Sequence, residues 1–331
     1  MSNNDNPFVP YLGKPFCIPN HLKVVALDPE ENIIHKQNLS DYLIKPSIEL
    51  AMNSHGACLL DVLTNEEYLA LNSNGQICLK FVTSGNAHAD ATKLMGSIAE
   101  ALIVQECNNN QEYNRELAKH ARGGSRLSNF PDGFIAICTG SKLTKRHHLQ
   151  HYSPNDTQRD IIWVDKQDNA LQLNSIIPGS TNASSKPAGL QVKTSHDFRY
   201  VLNSIEQYSY PIIYFDLNND WQSLYSAIVN LNRNSQTTAA TLVKYDNVLY
   251  ELKDRLVSYF NIIVALMNGE CTMEQLIQEA NYSNDSILGS VFDNAAGDSG
   301  EKTIVPVKKN INSMHDEIMA NLHRQAAKLF S

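Results

Sequence analysis

No CxxC pair occurs in this chain of 331 residues. Its cysteines, at 17, 58, 78, 107, 138 and 271, are scattered, which argues against a zinc ribbon or a disulfide framework and suits a reducing compartment. No run of about eighteen apolar residues appears, so no membrane span is expected. The opening MSNNDNPFVPYLGKPFCIPNHL lacks a charged n-region and an apolar core. No secretory signal is therefore expected, and the location inferred is cytoplasmic. The chain has no G-x-x-x-x-G-K-[ST], which excludes a P-loop ATPase, and no G-x-S-x-G or Ser–His–Asp pattern. It also lacks basic excess: a net charge of -8 counts against indiscriminate adhesion to nucleic acid or anionic membrane. Neither an internal repeat nor a long low-complexity tract is present.

What remains is globular in composition, 42% hydrophobic and 19% charged, with length for more than one core. Three regions are expected. Residues 1–88 read as a mixed α/β region of short apolar runs: LKVVAL, ACLLDVL, EYLAL and QICLKFV, the last two joined by a hairpin-like NSNG. The acids Asp28, Glu30, Glu31, Asp61, Glu66 and Glu67 in this region are expected to be solvated surface. Residues 221–331 read as helical: WQSLYSAIVNLN, a long periodic stretch from about Thr238 to Met267, MEQLIQEAN, and HDEIMANLHRQAAKLF beyond a GDSGEK linker.

Residues 89–220 carry the chemistry. In LMGSIAEALIV, Leu94, Met95, Ile98, Ala99, Leu102 and Ile103 sweep an apolar helical arc, with Glu100 the only charge. NNNQ at 108–111 interrupts this helix. Three strand candidates follow, GFIAICTG, RDIIWV and AGLQVKTS. HDFRYVLNSIEQY has helical spacing, with Ser195 as a candidate cap, and YPIIYFDL reads as a buried strand. The two-residue strand period puts Gln191 and Lys193 on one face of AGLQVKTS. Asp160 and Asp165 fall on opposite faces of an ideal strand, so at most one shares that face unless the strand bulges.

The order helix, strand, strand, strand, helix, strand, with Glu100 in GSIAE, Asp160 in RDIIWV, and Gln191 and Lys193 in LQVK, resembles the restriction-endonuclease-like PD-(D/E)xK nuclease superfamily. The Q-x-K form is similar to its Mrr-type members, in which Gln replaces the usual second acid. The resemblance covers about 130 residues and implies an α/β fold with a restriction-endonuclease-like core, αβββαβ, whose central mixed sheet is flanked by helices. It further implies a Mg²⁺-dependent nuclease acting on DNA, with Mn²⁺ able to substitute, in restriction or antiviral defence. Asp160 would anchor the cation; the Gln191 amide oxygen, the Val192 carbonyl and Glu100 would complete its ligands. Lys193 would orient the attacking water or stabilise the charge that develops on phosphate.

Two departures are visible. The gap from Asp160 to Gln191 is long, so IIPGSTNASSKP must leave the core as an insertion. The literal Pro-Asp pair is Pro131–Asp132, which precedes a strand, so Asp132 and Asp165 stay open as alternatives to Asp160. Basic residues at 115, 119, 122, 126, 142, 145 and 159 are candidates for phosphate contacts or a solvated face. His147 and His151 stand at i, i+4 with no third ligand, which reads as basic surface. The negative net charge suggests that a helicase or translocase partner delivers the protein to DNA, with the helical C-terminal part and its 238–267 helix as the docking or homo-oligomerisation module; the alternative is that this helix only closes the core. A competing class is a non-catalytic interaction module that keeps the fold without activity.

Overall fold

The structure, a computed structural model, describes residues 8–11, 14–17, 23–27, 33–38, 47–72, 75–80, 84–233, 241–282 and 287–288. The fold is mixed α/β. The chain divides into two compact units, one of residues 1–66 and 82–282, the other of residues 67–81 and 283–331. The expected boundaries at 88/89 and 220/221 both fall within the first unit. The segments HDEIMANLHRQAAKLF and GDSGEK lie outside the described residues.

The first unit begins with two antiparallel hairpins, β1 (Phe8–Tyr11) with β2 (Lys14–Cys17) and β3 (Lys23–Leu27) with β4 (Ile33–Asn38). Helix α1 (Ile48–Asn65) follows; Ser47 Oγ accepts the Leu50 N–H and so caps its first turn. In the second unit, β5 (Leu69–Leu71) and β6 (Ile77–Leu79) pair antiparallel, as the turn between them predicts.

Helix α2 (Ala87–Asn109) buries the apolar arc read from the sequence: Leu94, Met95, Ile98, Ala99, Leu102 and Ile103 are at most 1% exposed. A fully buried side chain of this size contributes about 1.5–3 kcal/mol. Asn110 ends α2, and its side chain accepts the Glu112 N–H to start α3 (Gln111–Arg122). The break at NNNQ is thus a shared cap.

Strand β7 (Phe134–Cys138) pairs antiparallel with β8 (Ile161–Asp165), and the short helix α4 (Lys142–His147) lies in the connection. β9 (Asn174–Ile176) and β10 (Ala183–Pro187) form a hairpin from the segment expected to leave the core. Leu190 then bridges Ile161 antiparallel, and β11 (Gln191–Ser195) continues beside β12 (Ile212–Asp216) in parallel. The Leu190 bridge therefore links the β7–β8 and β11–β12 pairs. Helix α5 (Phe198–Leu202) lies in the β11–β12 crossover, and α6 (Trp221–Arg233), α7 (Asn247–Asn268) and α8 (Met273–Glu279) follow.

Helix α2 packs against β7 and β11, while Val201, Ile205, Leu224 and Ile228 pack with Ile212 and Tyr214. Helix α7 lies against α1 and α2. Its residues Leu249, Leu252, Leu256, Ile262 and Ile263 are fully buried, so this helix closes the core.

Two expectations are corrected. The helix after β11 has five residues and is capped by Asp197, whose side chain accepts the Arg199 N–H. Ser195 cannot cap it because its backbone is still extended, in register with Asp216. The helix expected from Thr238 starts only at Asn247, capped by Asp246. Upstream, Ile212 N–H donates to Thr241 O and Val243 N–H to Ile212 O, so this stretch extends the sheet instead of coiling.

Candidate functional site

The site forms where β8 begins and β11 meets it. The N–H groups of both Asp160 and Ile161 donate to Leu190 O, at 2.8 and 3.1 Å. Two residues on one strand thus oppose one on the other, the pattern of a β-bulge, which re-aims side chains. An uninterrupted ladder would next pair Arg159 with Val192. Instead, Val192 N–H donates to Asp160 Oδ2 at 2.7 Å, and Arg159 O accepts from the Thr139 hydroxyl. Gly189 makes the approach possible: a Cβ there would lie 2.7 Å from Arg159 Cδ and 3.1 Å from Ile161 O.

Gln191 is 2% exposed, and its Nε2 donates to the same Asp160 Oδ2. Its Oε1 is buried without a hydrogen-bond partner among the described residues. A buried amide oxygen left in this state costs roughly 1–3 kcal/mol, so an unused hard-oxygen acceptor stands beside the Asp160 carboxylate. Both polar groups of a strand residue leave on one edge, so the Val192 carbonyl is directed to the side from which Asp160 approaches. Lys193, two residues on and in register with Tyr214, carries its Nζ 5.1 Å from the centre of the Tyr208 ring.

Glu100 reaches the same place from α2. Burial, then the nearby Asp160 carboxylate, push its carboxyl up to about 8; Lys193 opposes this and Glu66 reinforces it. Burial also pushes Asp160 up to about 6, against the pull of Lys193 and the Val192 N–H. Near neutral pH the pair therefore holds one protonated carboxyl and one carboxylate beside a lysine. Such splitting is how two carboxyls take different roles in one site.

The rival aspartates sit elsewhere. Asp165 Oδ1 accepts the N–H groups of Gln167 and Asp168 and so closes the turn after β8. Asp132 forms a two-point ion pair with Arg115. Arg159, next to Asp160 in the chain, pairs with Asp156 and donates to Gln172 Oε1 at 2.9 Å.

Glu66 overturns its expected solvated role: it is 8% exposed, and its Oε2 accepts the Lys142 N–H at 3.0 Å. Its charge acts on Glu100 and on buried Cys138. No local spacing signals this, because Glu66 is the C-cap of α1 and arrives by tertiary packing. Several expected basic contacts are also engaged within the protein. Lys119 pairs with Glu116, and Arg122 lies over the Phe130 ring, whereas Arg126, Lys142 and Lys145 are exposed. His147 and His151 do not share a helix: α4 ends at His147, and His151 Nε2 lies 2.5 Å from Asn169 O.

A second group of possible metal ligands is Glu116, His120 and Asp246. Asp246 is already engaged there, with Oδ1 capping α7 and Oδ2 lying 2.8 Å from His120 Nε2. Among the described residues no helix is long and apolar enough to cross a membrane. Comparison of the chain with protein-family models, curated proteins and solved structures finds no match.

Proposed function

We propose that this protein is a divalent-cation-dependent nuclease that hydrolyses phosphodiester bonds of DNA, built on a restriction-endonuclease-like core. The observation that carries the reading is Gln191 Oε1, buried beside Asp160 with no hydrogen-bond partner among the described residues. Around it stand Glu100 and Lys193, which with Asp160 and Gln191 make up the four residues that the PD-(D/E)xK resemblance singles out. The order α2, β7, β8, β11, α5, β12, with antiparallel neighbours first and a parallel pair last, supports the same core.

The donor set fits Mg²⁺, with Mn²⁺ as substitute: Asp160, Gln191 Oε1, the Val192 carbonyl and Glu100 offer hard oxygens to a cation that keeps several waters. Such a cation supplies charge neutralisation at phosphate and a more acidic bound water. Asp160 provides the standing negative charge. Glu100, protonated near neutrality, would have to release that proton to serve as a ligand. Lys193 places its ammonium, propped on Tyr208, where charge builds on the phosphate oxygens. Restriction or antiviral defence, and delivery to DNA by a helicase or translocase or by a second copy, belong to this proposal.

One observation favours the non-catalytic alternative. Gln191 Nε2 bonds Asp160 directly, so the carboxylate is satisfied within the protein without a cation. Cleavage of plasmid and linear DNA with Mg²⁺ or Mn²⁺ decides between them. Wild type should cut, and Asp160→Ala and Lys193→Ala should each lose on the order of 10²-fold or more. Equal cutting by all three would remove the assignment. Calorimetric titration with Mn²⁺ should give binding that Asp160→Ala abolishes.

A further inference from the structure

We propose that Lys186, which the inserted β9–β10 hairpin brings back to the site, holds the DNA phosphate next to the one that Lys193 serves. This deepens the nuclease reading above and rests on it, and it makes the substrate a strand that presents neighbouring phosphates. Residues 174–187, NSIIPGSTNASSKP, carry a single charge, that of Lys186, in a chain of net charge -8. The side chain is exposed yet held at its tip: Nζ donates to Ser209 O at 2.9 Å and lies 3.9 Å from the centre of the Tyr210 ring. Fixing an exposed lysine costs rotamer entropy, which sets a placed ammonium apart from an ordinary solvated one. Of its three N–H donors the carbonyl takes one, and among the described residues no carboxylate pairs with it.

The segment that carries Tyr210 is fastened to the site. Gln158 Nε2 donates to Gln207 O at 2.8 Å, and Gln158 Oε1 accepts the N–H and the hydroxyl of Ser209, each at 2.9 Å. Pro211 O accepts the Gln191 N–H at 2.9 Å. Residues 207–211 are thus tied both to the turn before Asp160 and to the start of β11. Tyr208, in the same segment, is the ring over which Lys193 Nζ lies at 5.1 Å. Rings two residues apart therefore hold the two ammonium groups, each by cation–π attraction. Successive phosphates of one strand require such a pair of neighbouring cations.

Charge selects the occupant. The Asp160 carboxylate repels a phosphate until a cation binds, so attraction must come from positive charge that no acid of the protein cancels. Arg159 also faces Tyr210, its guanidinium carbon 5.6 Å from the ring centre, but Asp156 pairs with it. Lys186 supplies the uncancelled charge. A lysine ammonium binds phosphate as a point charge and reads no base, so the contact sets the register of the strand and not its sequence. Lys186 is accordingly a positioning residue, which brings the diester to Lys193 and Asp160 by holding its neighbour.

The test is fluorescence anisotropy of the full chain with end-labelled DNA oligonucleotides, single-stranded and duplex, in chelator over a series of salt concentrations. Lys186→Ala should weaken binding about five- to tenfold whatever the sequence, and should reduce the salt slope by about 0.7 on single-stranded or about 0.9 on duplex DNA. The form that shows the loss is the form that is held. Lys186→Arg keeps the charge and Tyr210→Phe keeps the ring, so both should keep the slope. Lys166→Ala removes an equal charge beyond the far end of β8 and should change neither quantity. Weaker binding with an unchanged slope would show that Lys186 only props the hairpin, and an equal loss in Lys166→Ala would show net charge alone; either overturns the proposal, as does the absence of salt-dependent binding. No cleavage is needed. If nothing is cut but the slope falls, the nuclease reading fails and the phosphate contact stands; if wild type cuts and Lys186→Ala keeps its slope, the reverse holds.

Discussion

Replacing Glu100 by Gln should change how stability depends on pH while leaving the shape of the site intact. Gln is the near-isostere of the protonated carboxyl that the fold favours. Burial and Asp160 raise Glu100 from an ordinary 4.5 to about 8. A carboxyl raised in this way binds a proton in the folded chain that the unfolded chain has already released. Its stability contribution is therefore complete below about pH 4.5, is lost as pH climbs towards about 8, and is level above that. At roughly 1.36 kcal/mol per pKa unit the ceiling is about 5 kcal/mol. The carboxyl keeps some contact with solvent and titrates together with Asp160, so about 2 kcal/mol is the expected size. Urea denaturation in a chelator, at a series of pH values across that window, measures it. Wild type should lose about 2 kcal/mol more than Glu100→Gln as pH rises, while both share the smaller loss from Asp160, which is raised in the same direction. Mn²⁺ should reverse the trend in wild type alone, because the ionised carboxyl gains a partner. Parallel profiles for the two proteins would refute a buried, proton-holding Glu100.

Three further outcomes follow from contacts that hold the site. Asn114→Ala should cost about 3 kcal/mol in urea denaturation, since it strands the Trp163 indole N–H and the Pro131 carbonyl in the core; a loss under about 1 would mean that water replaces the amide. Lys253→Met leaves Asp216, 2% exposed, without its 2.7 Å cationic partner and should cost about 3 kcal/mol. Adding Asp216→Asn should restore part of that loss in a double-mutant cycle, and strict additivity would show that the pair is not coupled. Gly189→Ala should lower stability by about 1–3 kcal/mol through its clash with Arg159 and weaken Mn²⁺ binding, with Arg159→Ala relieving both; a neutral Gly189→Ala would show that the bulge has slack.

Local periodicity carried much of this fold. The buried arc of α2, the Asn110 break and the strands at GFIAI, DIIWV and QVKTS are legible because each is decided by neighbours three or four residues away, or two. Where tertiary pairing competes, sequence reading fails. Ser195 looks like a helix cap until β12 claims its backbone, and residues 241–246 look helical until Ile212 pairs with them. The site shows the same division. Gln191 and Lys193 share a face by strand period alone, whereas the bulge that turns Asp160 onto Val192 N–H depends on Leu190 and on the space left by Gly189. Glu66 was invisible for the same reason.

The orientation of one amide now separates the two readings of this protein. With Nε2 on Asp160, Gln191 stabilises the carboxylate by a hydrogen bond, and its own oxygen is left buried with no partner among the described residues. Turned by half a rotation, the amide would set Oε1 beside Asp160 Oδ2, two acceptors in contact, which is unfavourable unless a cation or a proton lies between them. A degenerate site has one reason to keep an amide there, its bond to Asp160, and none for the orphaned oxygen. A cation site does have a reason, since one glutamine can hold the carboxylate in place when empty and supply a ligand when filled. Gln191→Leu should therefore cost about 1–2 kcal/mol in chelator, from the donor that Asp160 loses, and also lower Mn²⁺ affinity about tenfold or more. Destabilisation without any effect on Mn²⁺ would mean that Gln191 serves only to hold Asp160.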